Sequence, residues 1–265
     1  MKKWLIRLAM LVFAAVAIFS GYQIFSILNE YEKGDVTYEE VAEQFVVVPE
    51  NTPEPEKTLM PELILPEQID TPEADDTVWP EVDFEALCGV NDDVVGWIYI
   101  EGTRINYPIL KGEDNDYYMK RMIDGKRNSA GSIFMDCGNT GDFSDQHSIL
   151  YGHHMKNGSM FAALSGYKEQ AFFDEHPVCL ILTPQGDFKL KFFAGYVAST
   201  KADAWQKEFI SGEEFADWLA EAKEKSMFAS DIEPMPSDRI VTLSTCSYEF
   251  SNARFVLLGV LEERK

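Results

Sequence analysis

Short strand-like segments dominate the second half of the chain, where apolar residues either alternate with polar ones or form brief continuous runs. In VCLILTPQGDFKLKFFAGYVAST, two such segments flank the turn residues PQGD at 184–187, which predicts a β-hairpin. Further strands are predicted from VVGWIYI, INYPIL, GSIFMD, HSILYGHH, RIVTLSTC and ARFVLLGVLEE. Many short strands with few helices indicate a mixed α/β, mainly β fold, closed as a barrel rather than laid out as a βαβ sheet.

One long helix is predicted between the hairpin and the last two strands, in SGEEFADWLAEAKEKSMF. Ser211 can cap its start, and Glu213 and Glu214 lie in its first turn, where negative charge is favourable. The apolar residues that share one face at helical spacing are Phe215, Trp218, Leu219 and Ala222. A shorter helix is predicted in VDFEALCGV, before the first strand of the domain.

The start of the chain follows a different pattern, because residues 8–28 contain no charged side chain. Such a run is about the length that a helix needs to cross a bilayer. Lys2, Lys3 and Arg7 precede it and acidic residues follow from Glu30, so the positive-inside rule predicts a cytoplasmic N-terminus and an exported remainder. A cleaved signal peptide is the alternative, but the run is longer than a normal signal core and AIFSG is a weak cleavage site. We therefore predict a retained single-pass anchor.

Residues 30–81 have the composition of an extended linker. They contain sixteen Asp or Glu, two Lys and seven of the chain's twelve prolines. Repelling charge and proline both oppose a compact core, so we predict a stalk whose removal costs the folded domain little stability. The predicted organisation is a cytoplasmic tip and transmembrane anchor at 1–29, an acidic Pro-rich stalk at 30–81 and a globular domain at 82–265.

Charge and motif content argue against several classes of function. Lys and Arg total 23 against 45 Asp and Glu, and a net charge of -22 disfavours binding to nucleic-acid phosphates. The four histidines and four cysteines show no zinc-ligand spacing, and no phosphate-binding glycine motif is present. We therefore expect no metal, no cofactor and no nucleic-acid partner. Cys88, Cys137 and Cys179 are interpreted as buried packing residues, with one disulfide among them left open.

The fourth cysteine, Cys246, ends a predicted strand and raises the question of nucleophilic chemistry. A thiol nucleophile needs a partner that makes or stabilises its thiolate, and donors that face a developing oxyanion. His153 ends another predicted strand, and Arg254 begins the strand after Cys246, across a seven-residue loop. Antiparallel pairing would bring the guanidinium back beside the thiol. By themselves these three residues are weak evidence for catalysis, because single residues of these types occur in most chains.

A family resemblance supports the catalytic interpretation of Cys246, His153 and Arg254. TLSTC followed eight residues later by Arg254, with YGHHM upstream, resembles the sortase family. The segments that resemble class B sortases, in the same order, are DVVGWIYIEGTRINYPIL, DNDYYMKRMIDGKRNSAGSIFMD and YGHHMKNGSMFAAL, with the long helix before RIVTLSTC. The resemblance covers about residues 82–263 and implies a sortase-like closed β-barrel with an N-terminal helix and a long helix before the penultimate strand.

The resemblance also implies roles for individual residues. Cys246 corresponds to the nucleophile, His153 to its acid/base partner, and Arg254 to the residue that holds the substrate and the oxyanion. His154 occupies a position where the family varies, so we expect it to be non-catalytic. Supporting, substrate-binding roles are implied for Tyr151, Ser244 and Thr245.

The implied activity is that of a membrane-anchored, extracellular cysteine transpeptidase of Gram-positive cell surfaces. The Cys246 thiolate attacks the Thr carbonyl in the C-terminal sorting signal of a surface protein, and protonated His153 gives a proton to the leaving amine. An amine of a peptidoglycan precursor or stem peptide then resolves the thioester and attaches the protein to the wall. The membrane is a further expected partner, through the N-terminal helix.

Three alternatives stay open at this point. A secreted cysteine hydrolase would form the same thioester but use water, although papain-like enzymes place Cys before His and here His153 comes first. A pilin-polymerising sortase would use a lysine of another pilin as the acceptor. A catalytically silent surface module would use the barrel to bind peptide, and its Cys246 would react no faster with a thiol probe than the other cysteines.

Overall fold

A computed structural model of the chain describes residues 2–49 and 77–264. The helices are α1 (Lys2–Phe45), α2 (Phe84–Cys88), α3 (Gln170–Glu175) and α4 (Gly212–Glu224), with 3-10 helices at Tyr118–Lys120, Phe161–Lys168 and Asp203–Trp205. The strands are β1 (Val46–Val47), β2 (Glu81–Val82), β3 (Val94–Tyr99), β4 (Asn106–Leu110), β5 (Ile133–Met135), β6 (His147–Tyr151), β7 (Val178–Leu182), β8 (Phe188–Ser199), β9 (Arg239–Cys246) and β10 (Ala253–Glu263).

Eight strands of the described part close a barrel in the order β10-β8-β7-β3-β4-β5-β6-β9. Neighbouring strands are antiparallel except at β4–β5 and β6–β9, which run parallel. The hairpin prediction is confirmed, because β7 and β8 pair antiparallel across their turn. The mainly β, closed barrel expected from the sequence is therefore confirmed. Its two parallel strand pairs bring together segments that are distant in the chain.

Side chains of β9 and β10 alternate between two apolar layers. Val241, Leu243, Phe255 and Leu257 belong to the main core of the barrel. The intervening residues, Ile240, Val256, Leu258 and Val260, belong to a second layer together with Phe215, Trp218, Leu219 and Ala222 of α4. The helix prediction is confirmed, and Ser211 caps α4 by accepting the N–H of Glu214 at 3.2 Å. By the same alternation, Cys246 and Arg254 lie on the α4 side of the sheet.

The structure of residues 30–47 contradicts the predicted stalk. α1 continues without interruption to Phe45, and Tyr38, Val41 and Phe45 are buried in the main core. The chain then enters β1, which pairs antiparallel with β2. Apolar residues at positions i, i+3 and i+7 form a helix face, which the high charge of this segment concealed. The predicted extended linker is therefore wrong for residues 30–47, and residues 50–76 of the predicted stalk lie outside the described part.

Polar contacts also hold α1 on the barrel. The Tyr38 hydroxyl donates to the carbonyl of Gly131 at 2.6 Å and lies 2.9 Å from Ser132 Oγ. Burial raises the pKa of Tyr38, so the phenol remains a proton donor. The Asp35 carboxylate lies 3.1 Å from the guanidinium of Arg104. This end of α1 is thus part of the folded domain.

Tyr38→Phe should lower the free energy of unfolding by about 1–2 kcal/mol, because the buried Gly131 carbonyl loses its hydroxyl donor. Denaturation of the full-length chain in detergent measures the change. Tyr22→Phe is the matched control on the same helix, since Tyr22 is 66% exposed; it should change stability by less than about 0.5 kcal/mol. Equal stabilities of Tyr38→Phe and the wild type would contradict the docking of α1.

The N-terminal part of α1 has a different character. The helix contains a stretch that is long and apolar enough, by length and composition, to cross a membrane, and this stretch is not buried in the fold. Its large apolar side chains, such as Phe13, Ile18 and Phe25, are exposed. One helix therefore combines an unburied apolar segment with a segment that packs on the barrel.

Candidate active site

Two strand ends that the topology makes neighbours carry the site. β6 runs parallel to β9, and their register pairs Tyr151 with Ser244. The ladder continues past β6, since the Gly152 N–H donates to the Ser244 carbonyl at 3.1 Å. The next residue, His153, therefore leaves the sheet beside Cys246, which is the last residue of β9.

Gly152 is required by close packing where the chain leaves β6. A Cβ atom at this position would lie 2.5 Å from Cδ1 of Ile133 and 2.6 Å from Cδ2 of Phe161. No side chain fits at such distances, so glycine allows the backbone to pass directly over Phe161. The Phe161 N–H then donates to the His153 carbonyl at 2.9 Å. The backbone of His153 is consequently fixed on both sides.

β10 brings Arg254 to the same place. Its register pairs Arg254 with Cys246, as the seven-residue loop predicted. The Arg254 Nη1 atom donates to the carbonyl of Ala253 at 2.9 Å. Cys246 and Arg254 are both half-buried, so substrate can reach them from one side.

An ion pair holds the loop between β9 and β10. Lys168 Nζ donates to Ser247 Oγ at 3.1 Å and pairs with the carboxylate of Glu249. Hydrogen bonds from Lys168 and Ser247 lower the pKa of Glu249 to about 2, so this carboxylate is ionised at neutral pH. The loop that joins Cys246 to Arg254 is thereby attached to the Phe161–Lys168 helix.

These elements enclose one cleft with a cavity volume of about 350 Å³. Every site residue predicted from the sequence lines it: Tyr151, His153, Ser244, Thr245, Cys246 and Arg254. Sequence reasoning missed Asn115, Asp116, Met119, Phe134, Thr200 and Trp205. The first four lie in DNDYYMKRMIDGKRNSAGSIFMD, a segment with family resemblance but no single residue of distinctive chemistry.

The two adjacent histidines have different surroundings. His153 Nε2 lies 2.6 Å from the carbonyl oxygen of Met119. A carbonyl oxygen only accepts, so Nε2 carries hydrogen and Nδ1 is the nitrogen free to exchange a proton. His154 instead lines a separate pocket, where its ring meets Tyr248 edge-on with centres 5.5 Å apart. Burial, and then the charge of Lys168, lower the pKa of His154 and favour its neutral form.

The three supporting residues contribute in different ways. Ser244 Oγ accepts a hydrogen bond from Trp205 Nε1 at 3.3 Å. Thr245 is buried, and its Oγ1 has no hydrogen-bond partner among the described residues. The ring of Tyr151 packs on Phe134 with centres 5.4 Å apart. Ser244 and Tyr151 therefore shape the cleft through their side chains, whereas the Thr245 hydroxyl is enclosed.

A buried carboxylate lies behind Tyr151. Asp136 is 5% exposed, accepts from the Tyr151 hydroxyl at 2.9 Å and from Asn115 Nδ2 at 3.0 Å, and pairs with Lys207. Burial by itself would raise the pKa of Asp136, but hydrogen bonds from Lys207, the Gly138 N–H and Tyr151 outweigh it, and the pKa is lowered. A charged Asp136 thus holds two side chains that line the cleft.

Lys207→Met should destabilise the fold by about 1–3 kcal/mol at neutral pH, because Asp136 stays buried and loses its cation. In the wild type the pKa of Asp136 is lower in the folded protein than its unfolded value of about 3.9. The carboxylate therefore stabilises the fold at pH values above about 3.9, and this stabilisation is lost as the pH falls through the pKa of the folded state. In the variant the pKa should rise, so the deficit relative to wild type should shrink as pH falls towards about 4.

Thermal melts of both proteins across that pH range measure the effect. Lys201→Met is the control, since Lys201 is exposed, and it should match the wild type at every pH. A deficit that does not vary with pH would contradict the role given to Asp136.

His147 is a structural histidine. It is buried, with Nδ1 2.6 Å from the Gln206 carbonyl and Nε2 2.7 Å from Thr242 Oγ1. Burial lowers the pKa of His147 to about 4, so the ring is neutral. Because Nδ1 donates to the carbonyl, Nε2 accepts from the hydroxyl. This ring ties the loop that carries Trp205 to β6 and β9.

Comparisons with known proteins agree with this geometry. No protein-family model matches the chain. The chain is 31% identical over 261 residues to sortase B of Staphylococcus aureus (strain NCTC 8325 / PS 47), covering 98% of the chain and 97% of that protein. It is 39% identical over 174 residues to sortase B of Listeria monocytogenes, covering 65% of the chain and 71% of that protein.

The solved structures to which this chain is similar are also sortase B structures. Sortase B from B. anthracis in complex with AAEK1 superposes with a TM-score of 0.72 at 30% identity, covering 90% of the chain and all of that structure (100%). The Staphylococcus aureus sortase B–substrate complex gives a TM-score of 0.66 at 34% identity, covering 69% and 85%. Identity along nearly the whole chain, on the same closed barrel, shows that this chain belongs to the sortase B family of cysteine transpeptidases.

Proposed function

We propose that this chain, anchored in the membrane by α1, cleaves the C-terminal sorting signal of surface proteins after Thr and attaches them to a peptidoglycan amine. The observation that carries the proposal is the single cleft lined by Cys246, His153 and Arg254. Sortase B has been solved in a substrate complex and in a complex with triglycine. A peptide substrate and a peptide amine are therefore suitable occupants of such a cleft.

In the first step the Cys246 thiolate adds to the carbonyl carbon of Thr, and the carbonyl electrons move to oxygen. Arg254 lies on the neighbouring strand, directly across from Cys246. One guanidinium nitrogen already donates to Ala253, and the remaining N–H groups are left to donate to the oxyanion. The arginine thus stabilises charge that develops only during the reaction.

In the second step the tetrahedral intermediate collapses, the Thr C–N bond breaks and the leaving amine takes a proton from the His153 imidazolium. The Met119 carbonyl holds Nε2, so Nδ1 delivers this proton. The thioester on Cys246 is then attacked by the acceptor amine, which gives a proton to His153 as the new amide forms. The Cys246 thiolate leaves and the enzyme is regenerated.

The same proposal places the unburied apolar part of α1 in the membrane, with the N-terminus in the cytoplasm and the barrel outside. Lys2, Lys3 and Arg7 before the apolar stretch support this orientation. Labelling intact cells with a membrane-impermeant amine reagent should modify lysines of the barrel. Labelling of the barrel only after cell lysis would show the opposite topology.

Incubation of the full-length chain in detergent with a panel of sorting-signal peptides, with and without an amine acceptor, tests the reaction. Mass spectrometry should show cleavage after Thr, an acyl adduct on Cys246 and a transfer product when amine is present. Hydrolysis as the sole outcome in the presence of amine would favour the hydrolase. Strong preference for a pilin lysine would favour pilus assembly.

Arg254→Lys should lower kcat/KM by about 10²–10³-fold, because an ammonium keeps the charge but cannot present a planar fork of donors. Steady-state cleavage of an accepted peptide measures the loss. Arg239→Lys is the matched control: Arg239 begins β9 at the opposite end and pairs with Glu263. An Arg254→Lys enzyme as fast as Arg239→Lys would remove Arg254 from the mechanism.

A further inference from the structure

α1 brings the barrel to the end of its own apolar stretch. The apolar run ends at Leu28, and Glu30 already contacts the barrel. The Glu30 carbonyl accepts from Asn128 Nδ2 at 2.9 Å, and its carboxylate accepts from the Ser129 N–H at 2.8 Å. Two residues of helix rise about 3 Å, so this barrel surface lies within about one helical turn of the apolar stretch.

The adjoining hairpin segment has a local excess of basic residues in an otherwise acidic protein. The segment KRMIDGKR at 120–127 contains four basic residues and one acidic residue, whereas the whole chain has a net charge of -22. Lys120, Lys126 and Arg127 are exposed. Basic side chains close to a bilayer surface are attracted to anionic headgroups within about one Debye length.

Backbone contacts make this segment a defined hairpin, named here the basic hairpin. The Met122 N–H donates to the Lys126 carbonyl at 3.0 Å, and Arg121 and Arg127 form an antiparallel bridge. Met122 and Ile123 are buried, which anchors the hairpin in the barrel. The charged side chains that line the groove between the basic hairpin and α1 are Glu32, Lys33, Asp124 and Lys126, and Lys126 pairs with Asp124 at 2.7 Å. Lys120 and Arg127 add positive charge to the same fixed backbone, which lies beside the apolar stretch.

We propose that the basic hairpin binds anionic phospholipid headgroups of the membrane that holds α1, so that the barrel is docked on the bilayer rather than held away from it. This inference rests on the membrane anchoring proposed above. Within residues 77–264, acidic side chains outnumber basic ones outside this hairpin and are repelled by the same headgroups, so charge orients the barrel. Met119, whose carbonyl binds His153, directly precedes the hairpin, and the docked surface therefore adjoins the cleft.

Hydrogen–deuterium exchange of the full-length chain tests this docking. The chain is placed in nanodiscs of phosphatidylcholine alone or of phosphatidylcholine with phosphatidylglycerol. Amides of residues 121–129 should exchange about five- to tenfold more slowly in the phosphatidylglycerol discs, and high salt should remove the difference. Equal exchange in both kinds of disc would overturn the docking.

Two triple variants make the test specific. Lys120→Gln/Lys126→Gln/Arg127→Gln should lose the lipid-dependent protection while keeping its thermal midpoint in detergent, because these side chains are exposed. Lys191→Gln/Lys225→Gln/Arg264→Gln removes the same number of positive charges outside the basic hairpin and should keep the lipid-dependent protection. Protection of the 121–129 amides that survives in the first variant would overturn the proposal. Protection of these amides by a soluble anionic wall polymer, without protection by phosphatidylglycerol, would also overturn it.

The failure of this proposal can be distinguished from failure of the proposed function. A chain that does not enter the discs would overturn both the anchoring and the docking. Peptide cleavage is measured on the same preparation, so an incorporated, active chain with unprotected 121–129 amides overturns the docking alone.

Discussion

Cys246→Ala is expected to abolish peptide cleavage, by at least about 10⁴-fold in kcat, and to leave the fold intact. Without Sγ no thioester can form, and the acyl adduct should disappear from the mass spectrum. Cys246 is half-buried at a strand end and lines the cleft, so losing one sulfur should cost little stability. Thermal melts and peptide cleavage on the same samples measure both quantities.

Another cysteine of the same chain is the matched control. All four cysteines lie in the described residues and none is disulfide-bonded. Cys179 is fully buried in the main core, and burial raises the pKa of its thiol. Cys179→Ala should therefore lower stability by about 1 kcal/mol or more and keep the activity, the reverse of Cys246→Ala.

Two outcomes would contradict the assignment. The first is a Cys246→Ala protein that still cleaves at the Thr bond. The second is a thiol probe that reacts no faster with Cys246 than with Cys88 or Cys137, which would favour the silent peptide-binding module.

His153→Ala should lower kcat/KM by about 10³-fold, whereas its neighbour His154→Ala should cost less than about tenfold. His153 lines the cleft with Cys246, and its Nε2 is held by Met119, which leaves Nδ1 to move the proton. His154 lies in another pocket against Tyr248. Without His153 the amine departs unprotonated and the acylation step slows.

Single-turnover acylation with an accepted peptide measures this pair of variants directly, and thermal melts check that both are folded. Adjacent residues of the same type make the comparison strict, because the substitution removes the same atoms in each case. Losses of equal depth for His153→Ala and His154→Ala would mean that the acid/base role is wrongly assigned.

Local patterns in the sequence were sufficient for the elements whose stability is local. The β7–β8 hairpin follows from a turn between two strand-like runs, and α4 from a cap at Ser211 and one apolar face. The pairing of Arg254 with Cys246 could also be predicted, because a seven-residue loop between consecutive strands leaves few arrangements. These features depend on residues close together in the chain.

The rest of the site depends on contacts between distant segments. His153 reaches Cys246 only because β6 and β9 pair in parallel, and the residue chemistry of the sequence did not require that pairing; family resemblance had to supply the role. The ion pair of Asp136 and Lys207 joins residues 71 positions apart, and neither is distinctive among 45 acidic and 23 basic residues. Charge is informative about a site only when the partner is known.

At residues 30–47, local composition led to the wrong structure because the stabilising contacts are long-range. Its acidic residues indicated a linker, since charge repulsion and solvation are evident from composition. Its helical stripe of Tyr38, Val41 and Phe45 becomes stabilising only against a barrel surface that composition does not reveal. The sequence by itself therefore determined the barrel's elements, the family and the Cys–Arg pair. The tertiary structure decided where α1 packs and which side chains complete the cleft, because burial and long-range pairing are properties of the whole fold.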